Sequence, residues 1–325
     1  MNALRLIPAT VTAGAVALGL MAVSACSTSD AADGKDAGGK LKVVTSFYPM
    51  QYLAEQIGGS HVAVSTLTPP GIEPHDLELK PRQTAELGEA DYVLYLKGIQ
   101  PAVDKAIDQS GAKSKVDAAT LTELEHHGTE GGHGHEGEET HDEHAHEAEG
   151  EAGADPHIWL DPVKYAEVAK GVGTSLEKAD PNNAADYRKN TTALVTKLNG
   201  LNTAFQQGLK NTTTKTFITT HSAFGYLAER YGLDQEGIAG LDPESEPSPA
   251  RVKELQTLAK KEKVTTVFFE TLASDKTAKT LAQDTGLKTD VLDPLEGITD
   301  KSQGDDYIGV MQSNLAALQK ALGAK

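Results

Sequence analysis

The chain has 325 residues, enough for two average domains or one large one, so a small fold that depends on disulfides or a metal for its stability is excluded. Its 47 acidic and 30 basic side chains give a formal net charge of −17, which argues against binding to nucleic acid. The single cysteine, Cys26, cannot form an internal disulfide or a multi-cysteine zinc or redox site. A bound metal would therefore be held by histidine and carboxylate.

The first 25 residues have the pattern of a bacterial export signal. Arg5 is the only charged residue before Asp30, and the stretch between them is apolar or small. Its apolar run is short for a membrane span and ends in small residues directly before Cys26, as in lipoprotein signals. We predict lipidation at Cys26, a flexible tether over 26–40 and a mature protein outside the cytoplasmic membrane. An ordinary secretory signal and a single membrane anchor are the alternatives.

Strand-like and helix-like segments alternate in the next part of the chain. The predicted strands are short β-rich or apolar runs at 41–47, 62–67 and 92–96. The predicted helices, bounded by proline or glycine, cover 49–57, 81–87 and 101–109. This alternation predicts a parallel sheet with helices on its faces.

Residues 123–151 interrupt this pattern, and we call them the acidic insert. They contain 11 acidic residues, seven histidines and no lysine or arginine, so they cannot form a core and are expected to be a mobile loop. The histidines are His126, His127, His133, His135, His141, His144 and His146. Imidazoles among carboxylates suit weak binding of Zn²⁺, Cu²⁺ or Ni²⁺ at several positions. A solvated insert without metal is the alternative.

A long helix and a second alternating region follow the insert. Helices are predicted over 162–179 and, with Asp180 as N-cap, from Pro181 to about Lys210, where apolar residues recur at helical spacing. Further strands are predicted at 216–220, 264–270 and 288–292. Further helices are predicted at 223–231, 249–262, 276–285 and 307–322.

These elements predict an α/β protein of two lobes, each with a parallel sheet. The N-terminal lobe is assigned to 41–179 and the C-terminal lobe to 212–325, and a long rigid helix within 180–211 joins them. Open α/β sheets bind ligands at the carboxyl ends of their strands. We therefore expect a binding site in the cleft between the lobes.

The histidines outside the acidic insert are His61, His75, His157 and His221. His61 lies in a turn before a strand and is interpreted as a surface residue. The other three lie at strand ends or in a proline-containing loop, and three imidazoles with one oxygen form a good Zn²⁺ site. Glu296 and Asp293, both after the last strand, are the candidate oxygen donors. From spacing alone, local capping or hydrogen bonding by each histidine is as good an explanation as a metal site.

Motifs around three of these histidines resemble a known family. His75 lies in Pro-His-Asp-Leu-Glu-Leu-Lys-Pro, His157 in Asp-Pro-His-Ile-Trp-Leu-Asp-Pro, and His221 in Thr-Thr-His-Ser-Ala-Phe-Gly-Tyr-Leu-Ala. Together with the segment before Cys26 and Asp-Pro-Leu-Glu at 293–296, these motifs resemble those of the zinc-binding lipoproteins of bacterial ABC importers. These proteins form a metal-specific cluster of substrate-binding proteins, and the resemblance extends over essentially the whole mature chain.

The resemblance implies a lipid-anchored, monomeric protein that binds Zn²⁺ between its lobes and passes it to a membrane permease driven by an ATPase. It implies that His75 and His157 of the N-terminal lobe bind the metal together with His221 and Glu296 of the C-terminal lobe. Asp293 or water could replace Glu296. In related manganese binders the third position is usually a carboxylate, so His221 favours Zn²⁺.

Three alternatives stay open beside this interpretation. The chain could be a manganese or iron binder of the same fold, a surface adhesin or a secreted zinc hydrolase. The hydrolase is disfavoured because the sequence has no HExxH or GxSxG motif. In addition, four protein ligands would leave no open position for a reacting water, so we do not expect an enzyme.

Overall fold

A computed structural model describes residues 39–127 and 153–325. The predicted signal, the predicted lipidation site Cys26, nearly all of the predicted tether and most of the acidic insert lie outside these residues. In the described parts, no helix has both the length and the apolar character needed to cross a membrane.

The N-terminal lobe is built on a four-stranded parallel sheet. Its strands are β1 (Leu41–Thr45), β2 (Val62–Thr66), β3 (Tyr92–Tyr95) and β4 (Lys115–Asp117). Its helices are α1 (Tyr48–Gly58), α2 (Pro81–Glu89), α3 (Pro101–Gln109) and α4 (Pro162–Ala179). The strand order is β2-β1-β3-β4, and every pairing is parallel. The central strands β1 and β3 are apolar and almost wholly buried because helices cover both faces of the sheet.

The C-terminal lobe repeats this arrangement. Its strands are β5 (Thr216–Thr219), β6 (Asp234–Gly237), β7 (Thr266–Phe269) and β8 (Lys288–Val291). Its helices are α6 (Gly225–Tyr231), α7 (Pro249–Lys261), α8 (Lys276–Thr285) and α9 (Tyr307–Leu322). The order β6-β5-β7-β8 matches that of the first sheet, and the pairings are again parallel. The predicted fold class is therefore confirmed.

The connecting helix α5 (Ala184–Gly208) has 25 residues and follows a short 3₁₀ turn at Pro181–Asn183. It packs against α1 and α4 of the N-terminal lobe and against α9 of the C-terminal lobe, so it contacts both lobes. Asp180 is the N-cap of this 3₁₀ turn, with Pro181 at its first position as predicted, and Asn183 is the N-cap of α5 itself. The Asp180 carboxylate accepts hydrogen bonds from two side chains, Asn183 Nδ2 (2.6 Å) and the Tyr187 hydroxyl (2.9 Å), rather than from a backbone amide of the turn.

Two strands and the environment of one histidine differ from the predictions. The sequences of β4 and β6, KVD and DQEG, have no apolar run, and they become strands by pairing with β3 and β5 at the edges of the sheets. His61 is half-buried rather than a free surface residue. Its Nε2 lies 2.8 Å from Asp186 Oδ2 on α5, and its ring packs edge-on against Tyr187.

One large apolar core extends through both lobes, and each lobe has a smaller separate cluster besides. One continuous cluster of buried side chains extends from Leu41 in β1 through Trp159 and the α5 residue Phe205 to Phe217 in β5 and Leu322 in α9. The two sheets are therefore not packed as independent domains.

Candidate metal centre

Four loops place the predicted ligands at one point between the lobes. His75 lies in the loop from β2 to α2, and His221 follows β5 by two residues. His157 directly precedes a 3₁₀ turn, and Glu296 lies in the segment between β8 and α9. Three of the four follow the carboxyl end of a parallel strand, where open α/β sheets bind their ligands.

The donor atoms surround a single carboxylate oxygen. The Nε2 atoms of His75, His221 and His157 lie 3.4, 3.4 and 3.5 Å from Glu296 Oε1. One ligand atom from each of the four residues lies within 4.8 Å of the others. In a tetrahedron with Zn–N and Zn–O bonds of about 2.05 Å, neighbouring donor atoms are about 3.3 Å apart. The three N–O separations therefore match the edges of a zinc tetrahedron.

Carboxylates behind two of the imidazoles fix their orientation. His157 Nδ1 lies 2.7 Å from Asp155 Oδ1, and His221 Nδ1 lies 2.9 Å from Glu270 Oε1. Such contacts direct the opposite ring nitrogen toward a metal. Nε2 of His157 and His221 and Oε2 of Glu296 are buried without a hydrogen-bond partner in the described part of the chain. Buried polar atoms without partners are costly, and a cation between them would remove that cost.

The centre is buried and its charges are strongly coupled. His157, His221 and Glu296 are each at most 1% exposed. Burial alone would lower the pKa of His221, but the carboxylates of Glu270 and Glu296 raise the net pKa well above 6.5. In the same way, Asp155 and Glu296 outweigh burial and raise the pKa of His157. The pKa of Glu296 is held well below its usual range because the three imidazoles outweigh its burial.

A second carboxylate, Glu73, lies beside Glu296. Burial, followed by the charge of Glu296, raises the pKa of Glu73 to about 8. Its Oε2 accepts hydrogen bonds from the backbone amides of His75 (2.8 Å) and Asp76 (3.4 Å). Glu73 therefore shapes the loop that carries His75 while its other oxygen, Oε1, is buried without a partner in the described residues.

Asp293, the other candidate oxygen donor, is not part of the four-residue cluster. Its Oδ1 accepts from the backbone amide of Leu295 (2.8 Å), and its Oδ2 accepts from Thr271 Oγ1 (3.1 Å). Leu295 has a left-handed backbone (φ 61°), a conformation that costs a non-glycine residue about 1 kcal/mol or more. Asp293 thus stabilises the turn that directs Glu296 toward the three imidazoles.

The sequence analysis missed Glu73, Asp155 and Glu270. Asp155 and Glu73 each lie two residues before a predicted ligand, and Glu270 directly follows β7. A search for carboxylates near each histidine in sequence could have found the first two. Glu270 is 49 residues from His221, and only the pairing of β5 with β7 brings them together.

A comparison with protein families shows which family the chain belongs to. Residues 43–321 match the family described as "Zinc-uptake complex component A periplasmic". The chain belongs to this family. The family resemblance predicted from the sequence motifs is thereby confirmed, and the family is a component of an uptake complex rather than a class of enzymes.

Two curated relatives show how far the similarity extends. The chain is 40% identical over 320 residues to the high-affinity zinc uptake system protein ZnuA of Bacillus subtilis. That match covers 95% of this chain and 97% of the relative. It is 39% identical over 290 residues to the zinc-binding lipoprotein AdcA of Streptococcus pneumoniae. That match covers 88% of this chain but only 56% of AdcA, so this chain spans about half the length of that relative.

Solved structures agree with the fold. The Zn(II)-bound ZnuA-like domain of Streptococcus pneumoniae AdcA has 35% identity and a TM-score of 0.70, covering 87% of this chain and 99% of that domain. The laminin-binding protein Lmb of Streptococcus agalactiae, described as a bifunctional protein with adhesin and metal transporting activity, has 30% identity and a TM-score of 0.74. The superposition with Lmb covers 87% of this chain and 99% of Lmb.

Proposed function

We propose that this chain is the extracytoplasmic zinc-binding component of an ABC importer. It captures Zn²⁺ between its lobes and delivers it to a permease in the cytoplasmic membrane, which an ATPase drives. Zinc is the cargo of this protein, and no catalytic step is assigned to it. Family membership and the zinc-uptake and zinc-binding names of the relatives support this function.

The proposed ligands are His75, His157, His221 and Glu296. The observation that carries this assignment is the set of three Nε2 atoms 3.4–3.5 Å from one oxygen of Glu296. These separations fit tetrahedral Zn²⁺ with three nitrogens and one oxygen, whereas Mn²⁺ favours more ligands and a higher share of oxygen. A site closed by four protein ligands also leaves no position for a reacting water.

The proposed organisation of the full chain follows the sequence predictions. A signal peptide at 1–25 is removed, Cys26 carries the lipid, and the tether at 26–40 separates the membrane from the lobes. The lobes at 41–179 and 212–325 then act on either side of the helix within 180–211. The expected form is a monomer anchored outside the cytoplasmic membrane.

Zinc titration by calorimetry tests the proposal on residues 27–325. We expect one tight zinc event that is lost in His221→Ala, with weaker binding of Mn²⁺ to the unchanged chain. His61→Ala is the matched control, because this histidine bonds Asp186 away from the four-residue cluster and its loss should leave the tight event intact. Only weak events, with no tight event that depends on His221, would contradict the proposal, and tighter binding of Mn²⁺ would favour a manganese transporter of the same fold.

Adhesion is a second candidate function, favoured by the 30% identity to Lmb of Streptococcus agalactiae. Surface plasmon resonance with immobilised laminin tests it on residues 27–325, with heat-denatured protein as control. Saturable binding by the folded chain alone would support an additional adhesive role. Equal binding by both samples, or none, would exclude it.

A further inference from the structure

A second group of metal-binding side chains lies at the start of the acidic insert. Glu125 and His127 are the third-last and the last residue described before the gap at 128–152, and Glu229 lies on α6 of the C-terminal lobe. His127 Nε2 is 3.0 Å from Glu229 Oε2 and 3.9 Å from Glu125 Oε2. One ligand atom of each residue lies within 4.8 Å of the others. We call these three residues the insert-root cluster.

The position of the His127 ring is determined by its neighbours. Its Nδ1 lies 2.9 Å from Oδ2 of the buried Asp155, and its ring packs edge-on against Tyr226 at 4.5 Å. On α6, Gly225 makes room for it, since a Cβ there would lie 2.5 Å from His127 Cβ and Cγ. The ring is therefore held by α6 and Asp155 with Nε2 facing the two glutamates, the orientation found in carboxylate–histidine–metal arrangements.

Charge around the cluster favours a bound cation. Three carboxylates, those of Glu125, Glu229 and Asp155, surround the His127 ring. Lys164 Nζ lies 2.5 Å from Glu125 Oε1 and neutralises the charge of that carboxylate. The group therefore keeps a net charge of about −2 when the imidazole is neutral. Carboxylates this close repel one another unless a cation or a proton lies between them.

We infer that Glu125, His127 and Glu229 form a second binding site for a divalent cation of the zinc type. One imidazole and two carboxylates suit Zn²⁺ better than Ca²⁺ or Mg²⁺. Three protein ligands leave a coordination position for water, and Glu229 has a 62% exposed side chain, so this site exchanges its metal with solvent. It binds more weakly than the interlobe centre, because Lys164 repels the cation and only three ligands are available.

The two sites are connected through Asp155. Its Oδ1 faces His157 Nδ1 of the interlobe centre at 2.7 Å, and its Oδ2 faces His127 Nδ1 at 2.9 Å. The Tyr226 hydroxyl donates to the Asp155 carbonyl (2.7 Å) and accepts from the Glu125 amide (2.8 Å), which holds this segment to α6. The second site thus lies directly behind one ligand of the first, at the solvent side.

Zinc stoichiometry tests the inference. The five histidines from His133 to His146 are replaced by glutamine in residues 27–325, so that they cannot supply ligands. Calorimetric titration with Zn²⁺ should then give two events, one tight and one weaker. Glu229→Gln and, separately, His127→Gln should weaken the second event by about 10-fold or more, because even indirect partners of a metal contribute 10- to 100-fold to its affinity.

Glu246→Gln is the matched control, since it removes the same charge from an exposed glutamate outside both clusters and should leave both events unchanged. An unaltered tight event in Glu229→Gln shows that the fold and the interlobe centre are intact. A single zinc per chain, with His127 then holding a proton instead of a metal, overturns the inference. A second event that is insensitive to both Glu229→Gln and His127→Gln also overturns it.

Discussion

Buried carboxylates support the histidines of the interlobe centre from behind. Asp155 and Glu270 face the Nδ1 atoms of His157 and His221, so that each ring directs Nε2 toward Glu296. Oε1 of Glu270 also accepts from Thr220 Oγ1 at 2.5 Å, while its Oε2 has no partner in the described residues. The affinity of the centre for zinc should therefore depend on residues that do not touch the metal.

Substitutions of Glu270 test this dependence. Glu270→Gln keeps an oxygen that can face His221 but removes the charge, so zinc affinity should fall by about 10-fold. Glu270→Ala also removes the orienting contact and should lower the affinity by about 100-fold. Competition with a chromophoric zinc chelator measures both. Equal affinities in the unchanged chain and in Glu270→Ala would contradict this role.

The raised pKa values of His157 and His221 predict how pH affects the zinc-free and zinc-bound forms. A histidine whose pKa is raised in the folded state stabilises the zinc-free fold at pH values below 6.5. That stabilisation is lost as the pH rises through the raised pKa. Zinc needs these nitrogens unprotonated, so its binding strengthens over the same range. The stabilisation by saturating zinc should grow by up to about 1.4 kcal/mol per pH unit for each proton displaced.

Calorimetric unfolding between pH 6 and pH 8, with and without zinc, measures this change. The low pKa of Glu296 gives the opposite pH dependence, because its stabilisation of the fold is present above pH 4.5 and is lost only at more acidic pH. It should not contribute within this window. In His221→Ala the pH dependence should be smaller, and a zinc increment that is independent of pH would contradict the assignment.

At the scale of elements, the contact between α4 and α5 fixes the connecting helix to the N-terminal lobe. Gly173 on α4 lies directly against Thr191 on α5, where an added Cβ would be 2.2 Å from Thr191 Oγ1. Asn190 Nδ2 donates to the carbonyl of Ile57 at the end of α1 (3.0 Å). These contacts hold α5 against the N-terminal lobe, so we expect it to act as a rigid element and not as a flexible linker.

Two glycine substitutions separate packing from helix propensity. Gly173→Ala should destabilise the protein by about 1–3 kcal/mol, because the new methyl group overpacks the contact with Thr191. Gly200 lies within α5 with no atom within 4 Å of the added Cβ, so Gly200→Ala should stabilise by about 1 kcal/mol. Urea unfolding measures both. Equal effects of the two substitutions would contradict the packing argument.

At the scale of the whole molecule, direct contacts join the two lobes. Trp159 Nε1 donates to the carbonyl of Pro294 (2.7 Å), and the Tyr307 hydroxyl donates to the carbonyl of Trp159 (2.6 Å). Arg230 pairs with the buried Asp161 at 2.6 Å. Together with the shared apolar core, these contacts leave little room for a wide hinge motion.

Zinc binding should therefore cause only a small closure. The radius of gyration from X-ray scattering should change by less than about 1 Å on saturation with zinc, because the backbone of a preorganised binding partner moves by only about 1 Å on binding. His221→Ala, measured with and without zinc, is the control for changes unrelated to the centre. A compaction of several ångströms would show that the lobes open in solution and would contradict the rigid arrangement.

The sequence by itself determined the fold class and the metal-binding histidine candidates. Apolar runs followed by proline or glycine define most strands and helices, and the helices predicted over 162–179 and 307–322 have these bounds in the structure. These signals are local, because they depend on the periodicity of a few neighbouring residues. His75, His157 and His221 are conspicuous for the same reason, since few histidines lie outside the acidic insert.

Only the tertiary structure decided which side chains meet. The edge strands β4 and β6 have no apolar pattern of their own, and their conformation depends on pairing with a neighbour. The choice of Glu296 over Asp293 depends on the turn at Leu295, and the contact of Glu270 with His221 depends on the pairing of β5 with β7. These contacts join residues distant in sequence, and the free energy that selects them comes from packing and burial across the whole chain.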